Sequence, residues 1–495
     1  MTYKKLLKFC DPIIASGTIP DTVGELRQDS RAVQKNDVFI AIEGTRSDGH
    51  DFIPQAVANG ASLIISEKQI NIEKGTALWV VKNSRKLIGP LAQFMAGNPA
   101  EQLKIIGVTG TNGKTTVTTL IWQILTAMDY RASLLGTVEK RINQNTLQSK
   151  LTTADPIELA SDMKQIAEAG SEFLVMEVSS HALHQRRVHG IHFNVAVFTN
   201  LSLDHLDYHS SMNEYASAKK LLFNSLDDSS WAVTNADDSK GEWMVNSTPA
   251  RVISISFKGN GLINAEILKS GAGGMTISVD DVKINTPLVG KFNAYNVVQA
   301  LLSCTSIGLD GKKVSEVIES CKGAPGRLES VTDQQAIDKN PLVLVDYAHT
   351  PNALENVLST LKELKTKRQK LSVVFGCGGD RDRSKRPEMA AIAEKFADYI
   401  FVTSDNPRSE QPDAIIDEIL GGFSDQSNVT SITSRKEAIN TAIRHADKHT
   451  IVLIAGKGHE TYQEINGERI HFDDREIARE ALQSKNGHTN SMEVA

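Results

Sequence analysis

Residues 104–125, KIIGVTGTNGKTTVTTLIWQIL, combine the signals of a strand, a glycine-containing loop and a helix. An apolar β run is followed by Gly110 and Gly113 and then by a helical pattern. Glycines let backbone N–H groups turn towards a phosphate, and the helix N-terminus adds a favourable dipole. In such a loop Lys114 reaches the β- and γ-phosphates and the Thr115 hydroxyl ligates Mg²⁺. The stretch therefore predicts a nucleotide-binding site at the end of a strand.

The loop departs from the strict phosphate-loop pattern at one position. Val108 stands where that pattern has a glycine, five residues before Gly113, so the loop is GxxGKTT. The alternative interpretation is a plain glycine turn between a strand and a helix. Strand, loop, Lys-Thr pair and helix coincide here, and this coincidence favours the phosphate loop.

Length and composition are those of a large soluble globular protein. At roughly 100–200 residues per domain, 495 residues predict about three domains. Lysine and arginine total 54 and aspartate and glutamate total 60, which gives a net charge of −6. A mildly acidic chain is not a general nucleic-acid binder. Anionic ligands would need local clusters of basic side chains and backbone N–H groups.

Cysteine usage and the N-terminus predict a cytoplasmic protein. The cysteines are scattered and form no CxxC pair, so neither a zinc site nor a disulfide framework is indicated. The N-terminal segment has two early lysines but lacks the apolar core of a signal peptide. No run approaches the ~18 apolar residues that a membrane span needs.

Strand and helix patterns alternate along most of the chain. Breaks near residues 96–102 and 322–330 separate a first part with short elements from two longer parts. Short apolar strands followed by helices predict parallel sheets in both longer parts. We therefore predict an α/β fold with a small N-terminal domain, a central P-loop ATPase-like domain and a C-terminal Rossmann-like domain. The predicted domains cover residues 1–100, 101–328 and 329–495.

Four further polar residues follow predicted strands of the central part or lie on the helix after them. Glu177 stands near the end of an apolar strand, where a carboxylate can hold Mg²⁺. A solvated glutamate at a strand end is the alternative. His205 also follows a strand, although a single histidine is more often structural than a ligand. Lys219 and Lys220 have helical spacing and, taken alone, indicate a solvated helix face.

Three strand ends in the last part of the chain carry polar clusters: GCGGDRD at 376–382, SDNPR at 404–408 and AGKGHE at 455–460. In a parallel sheet these clusters would converge on one crevice. Asn406 and Pro407 are a turn signal, so SDNPR can be a surface corner. Arg408 just past the strand can also grip a carboxylate. The residues alone leave both interpretations open.

Ten motifs in register resemble the Mur ligase family, the ATP-dependent ligases of peptidoglycan precursors. They are GTNGKTT, EVSSHAL, TNLSLDHLDYH, YASAKK, GKFNAYNVVQA, PGRLE, DYAHTP, GCGGDRDRSKRP, DNPR and GKGHE. The resemblance runs nearly end to end. It implies that the protein adds meso-2,6-diaminopimelate to UDP-N-acetylmuramoyl-L-alanyl-D-glutamate. ATP would phosphorylate the D-glutamate γ-carboxylate, and the amine of the amino acid would attack the acyl phosphate.

The resemblance also assigns roles to individual residues. The catalytic residues it implies are Lys114, Glu177, His205 and Lys219. The Mg²⁺ ligands are Thr115, Glu177, His205 and Lys219 as a carbamate. ATP would contact Gly110, Thr111, Asn112, Gly113, Lys114, Thr115, Thr116, Asn293, Asn296, Arg327 and Asp346. The UDP precursor would contact Ser30, Thr45, Arg46, Ser47, Thr152, Thr153, Ser179, Gln185 and Arg187. Diaminopimelate would contact Arg381, Asp405, Asn406, Pro407, Arg408, Gly456 and Glu460.

Two of these roles carry a physical requirement. A carbamate forms on a neutral amine, so burial or local charge must lower the pKa of Lys219 far below its reference value of ~10.4. The residues alone do not choose between Lys219 and Lys220. At the far end of diaminopimelate, Arg408 would bind the carboxylate, and Asp405 and Asn406 would meet the ammonium. Lysine lacks that carboxylate, so an unpaired polar site would reject it.

Three other functions stay open at this point. The first is an L-lysine-adding ligase of the same family. The second is a P-loop ATPase or kinase that performs no ligation, and the third is a nucleotide-binding module without catalysis. We expect a monomer that binds small-molecule substrates, with no nucleic-acid partner and no membrane span.

Overall fold

The computed structural model describes residues 1–17, 20–44, 47–72, 75–206, 208–271, 273–333, 336 and 339–492. The chain divides into two compact units. Unit 1 comprises Met1–Ile263 with Gln299–Asp310, and unit 2 comprises Asn264–Val298 with Gly311–Ala495. Within the described residues, no helix is long and apolar enough to cross a membrane.

The first part of unit 1 is a five-stranded sheet with helices. Its elements are α1 (Tyr3–Cys10), β1 (Ile14–Ser16), β2 (Leu26–Arg27), β3 (Val38–Ile40), α2 (Ile53–Ala58), β4 (Leu63–Ser66), β5 (Ala77–Val80) and α3 (Ser84–Ala96). The strand order is β1-β5-β4-β3-β2, and β1 alone runs antiparallel to its neighbour. Strands β3, β4 and β5 are buried throughout, as apolar runs in parallel sheets covered on both faces are.

The second part of unit 1 is built around a larger sheet. Its elements are β6 (Lys104–Thr109), α4 (Lys114–Ala127), β7 (Ala132–Leu135), β8 (Glu139–Ile142), β9 (Asn145–Gln148), α5 (Pro156–Glu168), β10 (Phe173–Glu177), α6 (Ser180–His184), β11 (Val195–Phe198), α7 (Met212–Asn224), β12 (Trp231–Asn235), α8 (Gly241–Val245) and β13 (Arg251–Ser256). These strands follow the order β13-β12-β11-β6-β10-β7-β8-β9. Those from β13 to β7 are parallel, and β8 and β9 add an antiparallel extension that the sequence did not indicate.

Register and capping bring polar groups to one edge of this sheet. In the ladders around β6, Glu177 pairs with Val108 and Phe198 pairs with Thr109. The three strands therefore end side by side, and the residues that follow them share one edge.

Helix α5 starts where Asp155 accepts hydrogen bonds from the backbone N–H groups of Ile157 and Glu158, which satisfies free donors of its first turn.

Unit 2 contains an antiparallel segment and a second parallel sheet. Its elements are β14 (Ile263–Gly271), β15 (Gly274–Val279), β16 (Val282–Thr286), α9 (Lys291–Ser306), α10 (Gly311–Ile318), β17 (Glu329–Ser330), β18 (Leu342–Asp346), α11 (Pro351–Leu364), β19 (Lys370–Phe375), α12 (Lys385–Phe396), β20 (Tyr399–Val402), α13 (Pro412–Leu420), β21 (Val429–Ser431), α14 (Arg435–His445), β22 (Thr450–Ala455), β23 (Tyr462–Ile465), β24 (Glu468–His471) and α15 (Asp474–Met492). Helix α9 crosses the boundary between the units, and its last turns belong to unit 1.

The parallel sheet of unit 2 has the strand order β17-β18-β22-β19-β20-β21. Only β17 is antiparallel to its neighbour. Val402 pairs with Phe375, and Asp346 pairs with Ala455, so β18, β19, β20 and β22 end near one edge. The three polar clusters predicted from the sequence leave from that edge. The domain limits near residues 100 and 328 stay predictions.

Candidate active site

Two glycines shape the loop between β6 and α4. Gly110 has a φ of 151°, and a Cβ atom at this position would lie 1.9 Å from Thr199 Oγ1. Gly113 has a φ of 86° and precedes the first residue of α4. The loop is tied to the end of β11, where Asn200 accepts from the backbone N–H groups of Thr111 and Asn112 at 2.8 and 3.0 Å. The conformation therefore depends on glycine at Gly110, as a phosphate-binding turn requires.

Two lysine ammonium groups meet the same loop carbonyl. Lys114 Nζ donates to the carbonyls of Gly110 and Thr111 at 3.0 and 2.8 Å. Lys219 Nζ, from α7, donates to the carbonyl of Gly110 at 2.7 Å and lies 4.3 Å from the centroid of the Tyr215 ring. Burial, and then the nearby charge of Lys114, hold the pKa of Lys219 well below its usual value. The neutral amine that this favours is the form from which a carbamate forms.

The adjacent lysine has different surroundings. Lys219 is 1% exposed, whereas Lys220 donates to the carbonyl of Trp243 at 2.7 Å and packs over the ring of that tryptophan. Lys220 therefore lies on the α8 side of α7, away from the phosphate loop. Of the two lysines, Lys219 is the one that is buried beside the loop, and its carbamylation stays a prediction.

Glu177 is a fully buried carboxylate surrounded by hydroxyl and amide donors. Its Oε2 accepts from Thr115 Oγ1 at 3.2 Å and from Thr137 Oγ1 at 3.0 Å, and its Oε1 accepts from the backbone N–H of Thr137 at 2.8 Å. In the described part of the chain, no lysine or arginine forms an ion pair with it. A buried anion beside a hydroxyl offers the hard oxygen ligands that Mg²⁺ prefers, so these residues fit that ion.

His205 lies in the loop after β11 and packs against Tyr215, whose ring also covers the Lys219 ammonium. It has a φ of 53°, and its side chain is 42% exposed. Its ring lies edge-on to those of His181 and Tyr215, at centroid distances of 4.9 and 5.9 Å, and the Tyr215 hydroxyl is 3.1 Å from Thr111 Oγ1. Among the described residues, no three His, Cys, Asp or Glu side chains group as a metal site. Within the described part of the chain, an ion here would draw on other groups, such as the Thr115 hydroxyl or a modified Lys219.

Five of the residues predicted to contact the UDP precursor form one connected group at the end of β10. Thr153 Oγ1 donates to the carbonyl of Glu177 at 2.9 Å and accepts from the backbone N–H of Ser179 at 3.1 Å. The guanidinium of Arg187 donates to the carbonyl of Thr153 and to Gln185 Oε1. Thr152 Oγ1 lies 3.0 Å from Thr137 Oγ1, and the Thr137 hydroxyl donates to Glu177. These predicted contacts therefore adjoin the buried carboxylate.

The other precursor positions lie in the N-terminal sheet region. Ser30 is buried, and its hydroxyl contacts Gln55 Oε1 at 2.6 Å. Ser47 is exposed, and its carbonyl accepts from the backbone N–H of Gly44 at 2.8 Å. Thr45 and Arg46 lie outside the described residues.

Four residues predicted to contact ATP belong to unit 2. Asn293 and Asn296 are buried on α9 and joined by a 2.9 Å hydrogen bond from Asn296 Nδ2 to Asn293 Oδ1. The Arg327 guanidinium lies over the Tyr347 ring at 4.9 Å. Asp346 accepts from the backbone N–H groups of Leu328 and Ala348, and burial raises its pKa. Its carboxylate thus already holds the turn that carries Arg327.

A hydrogen-bonded network joins the ends of β20 and β22. Lys457 Nζ donates to Asn406 Oδ1 at 3.0 Å and to Glu460 Oε2 at 3.1 Å, and it lies 3.9 Å from Asp405 Oδ1. Asn406 Nδ2 donates to Glu460 Oε2 at 2.9 Å. Gly456 has a φ of 120°, and a Cβ atom there would lie 2.6 Å from Asp405 Oδ2. Glycine is therefore required where the two strand ends approach.

Arg408 is held in a left-handed backbone conformation beside this network, with a φ of 51°. Its backbone N–H donates to the carbonyl of Glu464, and its own carbonyl accepts from the N–H of Asn466, so the β23–β24 hairpin holds it on both sides. One guanidinium nitrogen donates to the carbonyl of Gly379 at 2.7 Å, and Nε lies 3.8 Å from Glu464 Oε2. The adjacent Pro407 is buried. SDNPR is therefore a turn whose arginine is partly buried and fixed.

The three polar clusters lie together at the edge of the sheet of unit 2, and Arg381 lies at their margin. A Cβ atom on Gly378 would lie 2.9 Å from an Arg408 guanidinium nitrogen, and one on Gly379 would lie 2.0 Å from the Pro407 carbonyl. The loop after β19 therefore packs directly on DNPR. Arg381 is exposed at the rim of this loop.

The sequence did not single out four residues that complete these groups: Thr137, Tyr215, Lys457 and Glu464. Lys457 was detectable, because it stands between two predicted contact residues in GKGHE. Tyr215 was also detectable, because it begins the motif YASAKK. Thr137 had no such signal, since its partner Glu177 is distant in sequence.

Comparisons with known proteins agree with the motifs. Residues 22–98 match the Mur ligase family catalytic domain, residues 108–304 the Mur ligase middle domain, and residues 326–458 the Mur ligase glutamate ligase domain. The UDP-N-acetylmuramoyl-L-alanyl-D-glutamate--2,6-diaminopimelate ligase of Bacillus cereus is 43% identical over 470 residues, covering 93% of this chain and 94% of that one. The enzyme of the same name from Geobacillus kaustophilus is 41% identical, covering 95% and 96%.

A solved structure carrying that same name has a TM-score of 0.73 with this chain. It is 34% identical, and the match covers 97% of this chain and 99% of the other. The predicted α/β fold with three domains is confirmed by this likeness and by the sheets described above. The family models and the identities over nearly the whole length lead to one conclusion. The chain is a member of the Mur ligase family.

Proposed function

We propose that the protein is an ATP-dependent ligase that adds meso-2,6-diaminopimelate to UDP-N-acetylmuramoyl-L-alanyl-D-glutamate in peptidoglycan synthesis. The observation that carries the proposal is the 43% identity with a relative named for this reaction, over 93% of the chain. The candidate site agrees with it, because phosphate loop, buried carboxylate and buried lysine occur together. The domains would divide the work: residues 1–100 bind the UDP precursor, 101–328 bind ATP and 329–495 bind the amino acid.

The first step transfers the γ-phosphoryl group of ATP to the D-glutamate carboxylate. Two anions must approach each other, so the site has to neutralise charge and fix geometry. Lys114 would turn its ammonium from the loop carbonyls to the β- and γ-phosphates, while the backbone N–H groups of the loop bind phosphate oxygens. Mg²⁺, when bound, would supply further charge neutralisation on the phosphates. Thr115, Glu177, His205 and a carbamylated Lys219 would hold it.

The second step joins the acyl phosphate and the amine of the amino acid. The amine attacks the acyl carbon, and phosphate leaves with the electrons of the C–O bond. The protein contributes position, since the ends of β19, β20 and β22 offer Arg408 to the distal carboxylate and Asp405, Asn406 and Glu460 to the distal ammonium. Lysine would leave Arg408 without its carboxylate, and such an unpaired group discriminates strongly.

The test compares amino-acid substrates in an ADP-release assay with the purified full chain, ATP and Mg²⁺. We expect ADP release only when the UDP-linked dipeptide and meso-diaminopimelate are both present, and mass spectrometry should find the tripeptide product. Equal or faster turnover with L-lysine would instead assign the lysine-adding reaction. ADP release without either substrate would indicate an ATPase. Size-exclusion chromatography would check that the active form is a monomer.

A further inference from the structure

Lys457 is a fully buried lysine in the hydrogen-bonded network that joins the ends of β20 and β22. Its ammonium donates to Asn406 Oδ1 and Glu460 Oε2 and lies 3.9 Å from Asp405 Oδ1. The Tyr462 ring covers it from another side, at 5.4 Å from the centroid. A lysine enclosed in this way has little surface to offer a substrate. Its effect on a ligand must pass through the residues that it holds.

The ammonium fixes the orientation of the Asn406 amide. Asn406 Oδ1 accepts from Lys457 Nζ and also from the backbone N–H of Glu464, both at 3.0 Å. The amide NH₂ group must therefore point the other way, towards Glu460 Oε2 at 2.9 Å. Glu460 Oε2 is thus held by two donors at once, from Asn406 and from Lys457. The carboxylate is fixed before any ligand arrives.

Lys457 also sets the charge of the network. Asp405 and Glu460 carry two negative charges and Lys457 carries one positive charge, which leaves a net charge of −1 on these three side chains. A group with a single positive charge balances that value. Without Lys457, the nearby buried cation would be Arg435, which already pairs with Asp474, and the two carboxylates would lack a cation of their own. Buried charges are costly unless they are paired.

We propose that Lys457 is a positioning residue that selects the distal ammonium of the incoming amino acid. It touches no substrate atom, and it holds Asn406 and Glu460 so that the carboxylates of Glu460 and Asp405 receive one ammonium group. This inference rests on the proposed function, since it concerns the end of diaminopimelate that is not joined. It differs from a role for Arg408, which would recognise the distal carboxylate.

The experiment compares meso-diaminopimelate with L-2-aminopimelate, which keeps the distal carboxylate and lacks the distal amine. The measured quantity is the ratio of kcat/KM for the two amino acids. In the wild type we expect diaminopimelate to be preferred at least tenfold. Lys457→Met, which keeps the length and removes the charge, should lower this preference at least tenfold, through KM for diaminopimelate and with KM for ATP unchanged. A merely structural defect would reduce kcat/KM for both amino acids equally.

Two further variants make the result decisive. Lys436→Met removes a lysine that is 57% exposed on α14 and should leave the ratio unchanged. Lys457→Gln, which keeps a hydrogen-bond donor without the charge, serves if Lys457→Met does not fold, and it should also lower the ratio at least fivefold. A folded Lys457 variant with the wild-type ratio would overturn the inference. Wild-type protein that ligates diaminopimelate without preferring it over L-2-aminopimelate would do the same. No ligation of diaminopimelate by the wild type would refute the proposed function itself.

Discussion

The ion pair between Arg435 and Asp474 provides a test of what stabilises unit 2. Both side chains are fully buried, and the contact is bidentate, with Nε–Oδ1 at 2.8 Å and a terminal nitrogen to Oδ2 at 2.7 Å. Arg435 also donates to the carbonyls of Ser404 and Ala455, at 3.4 and 3.0 Å. The arginine therefore joins the start of α15 to the ends of β20 and β22.

Replacing Arg435 by methionine keeps most of the volume and leaves the Asp474 carboxylate buried without its cation. Breaking a buried pair in this way costs about 3–5 kcal/mol. Asp474 is the first residue of α15, and the helix N-terminus stabilises its charge in part, so we take the lower value of about 3 kcal/mol. At about 2–4 °C per kcal/mol for a unit of this size, Tm should fall by roughly 6–12 °C.

Differential scanning calorimetry of the full chain measures this change. The double variant Arg435→Met with Asp474→Leu should recover at least half of the loss, because no buried charge then remains unpaired. The matched control is Arg444→Met, since Arg444 is 62% exposed and lies 3.7 Å from an equally exposed Glu437. That surface pair contributes about 0–1 kcal/mol. A fall in Tm no larger for Arg435→Met than for Arg444→Met would refute the reasoning.

Two further predictions concern the candidate site, and a third concerns the pH dependence of stability. Arg408→Ala should raise KM for diaminopimelate by about 10- to 100-fold, as expected for loss of a charge-assisted contact, and a matched rise in KM for ATP in the same kinetics would contradict this role. Lys219→Ala should reduce kcat by about 100-fold or more, and added short carboxylates should partly restore the activity. The control Lys220→Ala should stay active. A Lys219→Ala variant as active as the wild type without added carboxylate would exclude the carbamate. Burial, with Arg327 and Arg475 nearby, lowers the pKa of His459 from 6.5 to about 4. Between pH 6.5 and 4, the unfolded chain therefore binds more protons than the folded one. Urea denaturation should show that the free energy of unfolding decreases as the pH is lowered through this window, and that it decreases less steeply in His459→Gln.

Much of the architecture was accessible from the sequence because strand ends and polar motifs coincide. The β run before Gly110 ends at Thr109, Glu177 is the last residue of β10, and the helix after the loop begins at Lys114. Each of these features is local, since hydrophobic pattern and glycine position determine it within a few residues.

Features that depend on distant partners were not accessible. Lys219 and Lys220 occupy consecutive positions of the same helix, and contacts with distant partners distinguish them: the carbonyl of Gly110, 109 residues earlier, for Lys219 and Trp243 for Lys220. The antiparallel strands β8 and β9 lack the strong alternation that would reveal them, and β9 is exposed throughout. Lys457 stands in the motif GKGHE, but its burial results from the meeting of two strand ends, which the motif does not reveal.

The left-handed conformation of Arg408 has a consequence for attempts to retarget the enzyme. Because hydrogen bonds to Glu464 and Asn466 clamp its backbone, the direction in which the guanidinium leaves the chain is set by the β23–β24 hairpin. Exchanging the side chain would remove the proposed contact with the substrate carboxylate without shaping a pocket for another amino acid. A variant that accepts a new substrate well would need a redesigned hairpin, so the determinant of selectivity extends to a segment more than fifty residues further along the chain.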